Sequence, residues 1–511
     1  MKAVAFISVL IAAGPAWAQD DIDGVPPDGH PMGVAGGYCG TAHAKPGSAS
    51  LGNASLTSSV IWVNRCEGGC TYTGALDHDA VNNRIAIRGT GNGTTYNFEE
   101  FKNYAGQTGT AADAEWDQIV SCVRKVYSYY NTTVVTDRPT SGTYHAMHIA
   151  GKDTDLGFPM QPQGVLLGIS DVRCSGAIDN MTSFTFSENH KIGSISPSAA
   201  AYVKNLCVTA VHEAGHSYGL EHEFKFFDNT SACTDPMSYD TGACDPPFRF
   251  FRNKLAKCGG FEEGPCACTT GMQNSHVRLF ALFGAGTPMI APPTGTIINP
   301  APEGQVGRTI IGSIGHERGI EKVDVYVNGW KWGTMPGAAF EIGAGQDNPA
   351  IYNWVIPDEV PDSKVDVYMR AFDDLDNYLD TPVVTAFKGA ACASADTCNE
   401  GQKCEDGKCF WDPPIGEVGQ ECSYNEYCKN NLCVGSEGDQ VCSQVCVVGA
   451  TGACPDGLEC RKDMEGNSLC FKPEGGGCCS ASDESAPWAA GLSMFVLGIL
   501  VIRPRRRRRH A

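Results

Sequence analysis

One stretch constrains this chain more than any other: His212-Glu213-Ala214-Gly215-His216-Ser217-Tyr218-Gly219-Leu220-Glu221-His222. His212 and His216 are four residues apart, so a helix places them on one face, where they can hold one ion from the same side. Glu213 sits beside them, in reach of a metal-bound water. Gly219 can adopt backbone angles closed to other residues, so the helix can stop there and the chain can turn back. That turn brings His222 round as a third nitrogen ligand. Three neutral imidazoles leave one position open on a tetrahedral zinc, as a hydrolytic metal site requires.

The five-residue core of this string arises by chance on surface helices. The glycine and third histidine narrow it, and a downstream partner narrows it further. Asp235-Pro236-Met237-Ser238-Tyr239-Asp240 is a tight polar turn around a methionine. The combination resembles the metzincin metallopeptidases, whose signature is an extended zinc helix followed by a Met-turn. The resemblance covers the signature and a surrounding domain. It implies zinc (Zn2+) held by His212, His216 and His222, with Glu213 as general base and Met237 as an apolar floor beneath the ligands. Tyr239 stands two residues after Met237, as in the astacin and serralysin branches, where the matching tyrosine lies close enough to touch zinc. It is the implied oxyanion donor. Glu223 follows the third histidine, the astacin arrangement, but Leu220 and Glu221 depart from astacin wording, so the branch stays open.

At 511 residues the chain exceeds a single core and predicts several domains. Its formal net charge is -20, although the last nine residues carry six arginines. An acidic body argues against a nucleic-acid partner, which needs a basic face. Met1-Lys2, an apolar run from Ala3 to Ala13 and Ala16-Trp17-Ala18 read as a secretory signal peptide over residues 1–18. The 25 cysteines then read as disulfides formed in an oxidising space.

Residues 19–56, rich in Gly, Ala, Ser, Asp and Pro, read as an irregular leader or short prosegment. Cys39 within it is expected to pair with another cysteine; the other reading is a thiolate that covers the open zinc position. Residues 57–288 read as the catalytic domain. Its expected elements are strands at 59–64, 132–136, 144–150, 165–169 and 183–187, an amphipathic helix at 112–130, and a closing helix at 274–283. Ser196-Pro197 is expected to open the zinc helix. Cys66 and Cys70 flank a turn and suggest a disulfide. His145 and His148 read as partly exposed strand histidines. An extended substrate is expected to pair with an edge strand.

Residues 294–389 read as all-β. Val323, Val325 and Val327 alternate with polar residues, as do Val365, Val367, Met369 and Ala371, which fits a sandwich of about seven strands. The wording around Trp354 and Arg370-Ala371-Phe372-Asp373 looks like bacterial immunoglobulin-like surface domains. Residues 391–474 carry twelve cysteines. Cys398, Cys404 and Cys409 share their spacing with Cys422, Cys428 and Cys433, and Cys454 and Cys460 repeat its first half. Such modules need disulfides in place of cores. In residues 475–511, Cys478-Cys479, an apolar run and the arginine-rich end resemble the myxobacterial C-terminal sorting signal, which implies membrane association and surface delivery; the plainer reading is a membrane anchor.

The fold expected is therefore multidomain: an α+β metzincin-like catalytic domain, an immunoglobulin-like β-sandwich and disulfide-rich small modules. The function expected is a secreted or surface-displayed zinc endopeptidase acting on protein or peptide substrates. The competing reading is a surface adhesion protein with a catalytically silent zinc domain; the presence of Glu213 with all three ligands speaks against decay. Calcium (Ca2+) fits acidic loops in general, but no motif demands it. Nothing in the sequence sets an oligomeric state.

Overall fold

The computed structural model describes residues 58–473 and the backbone of 37–43, apart from short stretches at 88, 159–164, 175–178, 193–194, 241–247, 339–348, 437, 451 and 464–465. The signal peptide, most of the leader, the side chain of Cys39, Cys244 and the C-terminal sorting segment lie outside the described residues. No helix among the described residues is long and apolar enough to cross a membrane. The chain divides into two compact units, Met1–Trp411 and Asp412–Ala511.

The first unit is built on a six-stranded sheet, ordered 37–43, 165–172, 182–185, 145–149, 60–64 and 133–135. Two helices cover one face. Helix α1 (Asp113–Tyr127) turns Trp116, Ile119, Val120, Val123, Val126 and Tyr127 inward, the period expected of it. Helix α2 (Ala199–Ser217) packs beside it, and Cys122–Cys207 ties the two together. Their apolar faces meet Ile61, Val63, Met147 and Ile149 from the sheet. On the other face lie Tyr72, Ile85, Phe98, Phe184 and Phe186.

Covering both faces corrects one expectation. His145 and His148 point to opposite sides of their strand, yet every residue of His145–Ile149 is buried. Tyr72 Oη lies 2.8 Å from His148 Nδ1, and Ser183 Oγ lies 2.9 Å from His145 Nε2. Burial pushes both imidazoles down to about 3.

Two further differences are local. Helix α2 begins later than Ser196-Pro197 suggests: Ser198 is the cap, its hydroxyl accepting from Ala201 N at 3.2 Å. Ser196 is buried instead and accepts a bond from Asn205 Nδ2. The leader is not wholly irregular either, because Gly37–His43 forms a strand parallel to Val165–Val172 and occupies that strand's outer edge.

Beyond α2 the chain forms a small sheet of Glu223–Phe226, Ala256–Cys258 and Met272–Gln273. Helix α3 (Ser275–Phe283) follows, capped by Asn274 accepting from Val277 N. Disulfides Cys174–Cys268 and Cys258–Cys266 hold this loop-rich part, and Cys66–Cys70 closes its turn locally.

Residues 294–388 form two facing sheets. Thr294–Asn299, Thr309–Gly315 and Ala350–Val355 make one; Lys322–Val327, Trp330–Pro336, Ser363–Phe372, Tyr378–Asp380 and Val384–Lys388 make the other. Eight strands lie among the described residues of this segment, in keeping with the sandwich of about seven expected. The alternating valines point inward against Ile310, Ile314 and Tyr352, and strand Ser363–Phe372 alternates buried and half-buried throughout.

The cysteine-rich stretch contains three modules with one pairing rule, first to third and second to fourth. They are Cys392–Cys404 with Cys398–Cys409, Cys422–Cys433 with Cys428–Cys442, and Cys446–Cys460 with Cys454–Cys470. This corrects the repeat frame expected from spacing: Cys422 corresponds to Cys392, not Cys398. Loop lengths differ between modules, so spacing alone aligns the wrong cysteines. The first module belongs to the first unit. It is held to the sandwich where Asn328 Nδ2 donates to Cys409 O at 2.8 Å and Trp330 Nε1 to Trp411 O at 3.2 Å.

Candidate metal centre

Helix α2 presents His212 and His216 one turn apart. It ends where Gly219 takes a φ of +86° and its N–H bonds to His216 O. A Cβ at Gly219 would lie 2.7 Å from the carbonyl oxygen of Arg173, so both the angle and the space demand glycine. The reversal carries His222 back to the helix. His216 Nε2 lies 2.9 Å from His212 Nε2 and 3.2 Å from His222 Nε2.

The protonation pattern suits a cation. His212 Nδ1 donates to Pro236 O and His216 Nδ1 donates to Leu220 O, both at 2.8 Å. A carbonyl only accepts, so each Nδ1 carries the proton and each Nε2 turns a lone pair toward the others. Converging lone pairs repel unless a cation sits among them. Ligands about 2.05 Å from a tetrahedral zinc stand about 3.3 Å apart, close to the spacing here. All three rings are buried, and burial pushes His212 down to about 4, which favours the neutral form that binds metal. The nearby Glu221 carboxylate accepts from His222 N at 2.9 Å and lies 3.4 Å from its Nδ1.

Glu213 is fully buried on the same helix. Gly168, in the strand Val165–Val172, makes its space: a Cβ there would lie 2.6 Å from Glu213 Oε1. Gly215 does the same for the turn below, where a Cβ would lie 2.6 Å from the sulfur of Met237. The Tyr239 ring packs on His222 with centroids 4.2 Å apart and on His212 at 5.7 Å. The structure thus brings His212, His216 and His222 together with the Tyr239 ring packed on them, while Glu213 lies buried on the same helix against Gly168 and Met237 packs against Gly215.

Several contacts that support the site lie beyond the histidine string. Asp235 accepts from Met237 N at 2.9 Å, Arg252 N at 2.7 Å and Ser275 Oγ at 2.5 Å, which fixes the turn. Gln273 accepts from Glu221 N and donates to Glu221 O, pinning the segment that bears His222. Burial, then the charge of Asp235, drives the Glu223 carboxyl well above its ordinary range. Gly168 was findable in principle, because a glycine inside an apolar strand marks a close approach. Three cysteine groups also bring ligand atoms within 4.8 Å of one another, but their sulfurs are spent in the disulfides given above.

No protein-family model matches the chain, and no curated protein matches it. Among solved structures, the fibronectin(III)-like modules of Clostridium thermocellum CbhA are similar at 19% identity and a TM-score of 0.15. That likeness covers 20% of this chain and spans half the length of the other.

Proposed function

We propose that this protein is an exported zinc endopeptidase of the metzincin kind, with residues 57–288 as its catalytic domain. The observation that carries the reading is the convergence of three Nε2 atoms, with both helix imidazoles locked by carbonyls in the ligand tautomer, in a chain stretch that also buries Glu213. His212, His216 and His222 hold the zinc, which when bound supplies a Lewis acid for the scissile carbonyl and acidifies water. Glu213 takes a proton from the attacking water and passes it to the leaving amine. Tyr239 donates its hydroxyl to the oxygen on which negative charge develops. Met237 packs beneath the ligands and takes no part in the chemistry.

An extended substrate gains main-chain affinity by pairing with the strand Val165–Val172, which carries Gly168 opposite Glu213. Residues 37–43 lie along that edge, so we infer that full activity follows removal of the leader. The sandwich and the cysteine-rich modules serve as spacer or recognition parts for display at the cell surface.

The test is hydrolysis of casein by the secreted protein, before and after cleavage near residue 56, beside Glu213→Ala and beside a zinc chelator. The expected result is activity that rises on cleavage, falls about 10²–10⁴-fold in Glu213→Ala, and vanishes with the chelator. A folded, zinc-loaded, trimmed protein that cleaves nothing would move the assignment to a surface binding protein.

A further inference from the structure

We propose that Arg318 and Asp374, at one end of the β-sandwich, are positioning residues for the histidine site. The proposal rests on the peptidase reading only for what that site does. The Arg318 guanidinium donates to both oxygens of Asp374, from Nε at 2.5 Å and Nη2 at 2.8 Å. Both side chains are nearly inaccessible, at 1% and 3% exposure. Neither points back into its own sandwich. Arg318 Nη2 also donates to Phe251 O at 2.6 Å, and its cation lies 4.6 Å from the ring centre of Tyr129. Asp374 accepts from Asn253 N at 2.9 Å and from Arg252 Nη1 at 3.2 Å. Leu375, the next residue, packs against the apolar core beneath α1 and α2.

The sandwich thereby grips the segment 251–253, and that segment supports the turn under the site. Arg252 N donates to Asp235; Asp235 also accepts from Met237 N; Pro236 O receives the Nδ1 proton of His212. Joined through the Arg252 residue, Asp235 and the peptide between Pro236 and Met237, these hydrogen bonds connect Asp374 to the His212 ring. Burial works against charge on Asp374, but Arg318 and then Arg252 hold its carboxyl below the ordinary range.

Adhesion between the domains does not by itself call for such a device. A buried ion pair is often no more stabilising than apolar residues of the same size. What it adds is direction, because each charge is aimed at a particular backbone group. The same boundary carries an internal control. Lys125 and Glu317 pair at 2.7 Å and are more exposed, and the Lys125 ammonium lies 4.1 Å from the ring centre of Phe248 instead of gripping the backbone at 251 and 253 as the Arg318–Asp374 pair does.

The experiment uses the full secreted chain and compares Arg318→Met with Lys125→Met. Methionine keeps much of the stem that packs on Tyr129 and loses the charge. Hydrogen exchange is followed in peptides covering 235–239, and zinc release is timed into a chelator. We expect Arg318→Met to speed both about tenfold, and Lys125→Met to leave both within about twofold. Where hydrolysis is measurable, kcat falls and KM stays. Asp374→Asn, which keeps the volume and an acceptor for Asn253 N–H, repeats the test if Arg318→Met does not fold. Unchanged exchange and zinc release, or equal changes in Lys125→Met, would reduce the ion pair to simple docking and overturn the proposal. Neither primary readout needs hydrolysis, so a zinc-binding protein that cleaves nothing would sink the peptidase reading and leave this test in force.

Discussion

The histidine domain and the cysteine-rich modules answer the same problem, how to hold a chain in one shape, by opposite means. The domain buries two apolar layers, one on each face of its sheet, and its disulfides fasten a fold already packed. The two modules of the second unit have short hairpins, Cys433–Val434 with Val441–Cys442 and Glu459–Lys462 with Ser468–Phe471, and few buried apolar residues besides cysteine. Val445 and Val447 stand about three-quarters and 70% exposed. A functional site needs the first solution, because a packed interior is what holds three histidine rings with their nitrogens converging. The second solution needs less sequence and serves where shape matters more than chemistry.

Reduction breaks the comparison most completely. A mild thiol reductant should unfold residues 412–473 outright and leave the histidine domain folded. Limited proteolysis with mass mapping reads this: the expected result is cuts confined to the modules at first. Modules that stayed resistant with all their thiols free would show that they have a core after all.

Acid works the other way round. His145 and His148 are pushed down to about 3 and His190 to about 4, chiefly by burial. Their unfolded value is about 6.5, so the unfolded chain binds more protons between these limits. The stability they contribute is whole above about pH 6.5 and is lost as pH falls toward the folded values, at about 1.4 kcal/mol per pH unit for each histidine. Residues 412–473 contain no histidine. Thermal melts at pH 7 and pH 5 should therefore lower the transition of the first unit and leave that of the second in place. Equal shifts in both would refute this account of the histidines.

The smallest effect tests close packing at single positions. Gly168→Ala places a methyl group against Glu213 and should cost about 1–3 kcal/mol, with a loss of activity. Val447→Ala, on an exposed module loop, should change stability by less than about 0.5 kcal/mol. Denaturant midpoints compare the two directly, and similar values would mean that the strand relaxes around the methyl.

What sequence reveals divides along the same line. Helices α1 and α3 stood out because their apolar residues recur at the helical period over one short stretch. The histidine triad stood out because all three residues fall within a single helix and turn. Less local features stayed hidden. The grip of Asp374 on Arg252 joins residues more than a hundred positions apart, and no spacing rule connects them. The burial of His145 and His148 depends on what covers the second face of the sheet. The strand at 37–43 has too little apolar content to announce itself and exists through its partner. The cysteine frame failed for a simpler reason: equal spacing is not equal pairing.

The pairing rule of the modules has a mechanical consequence. Under tension from its two ends, the module holding Cys422 and Cys442 cannot draw out along its whole sequence. Force can pass along the backbone from Cys422 to Cys428 and over the bridge to Cys442, so the chain between Cys428 and Cys442 stays unloaded. The matching bridges from Cys446 to Cys460 and from Cys454 to Cys470 shorten the loaded path in the next module. While these bonds are intact, each module can release only part of its chain. The greatest length of such a string under load is set by covalent bonds rather than by folding energy.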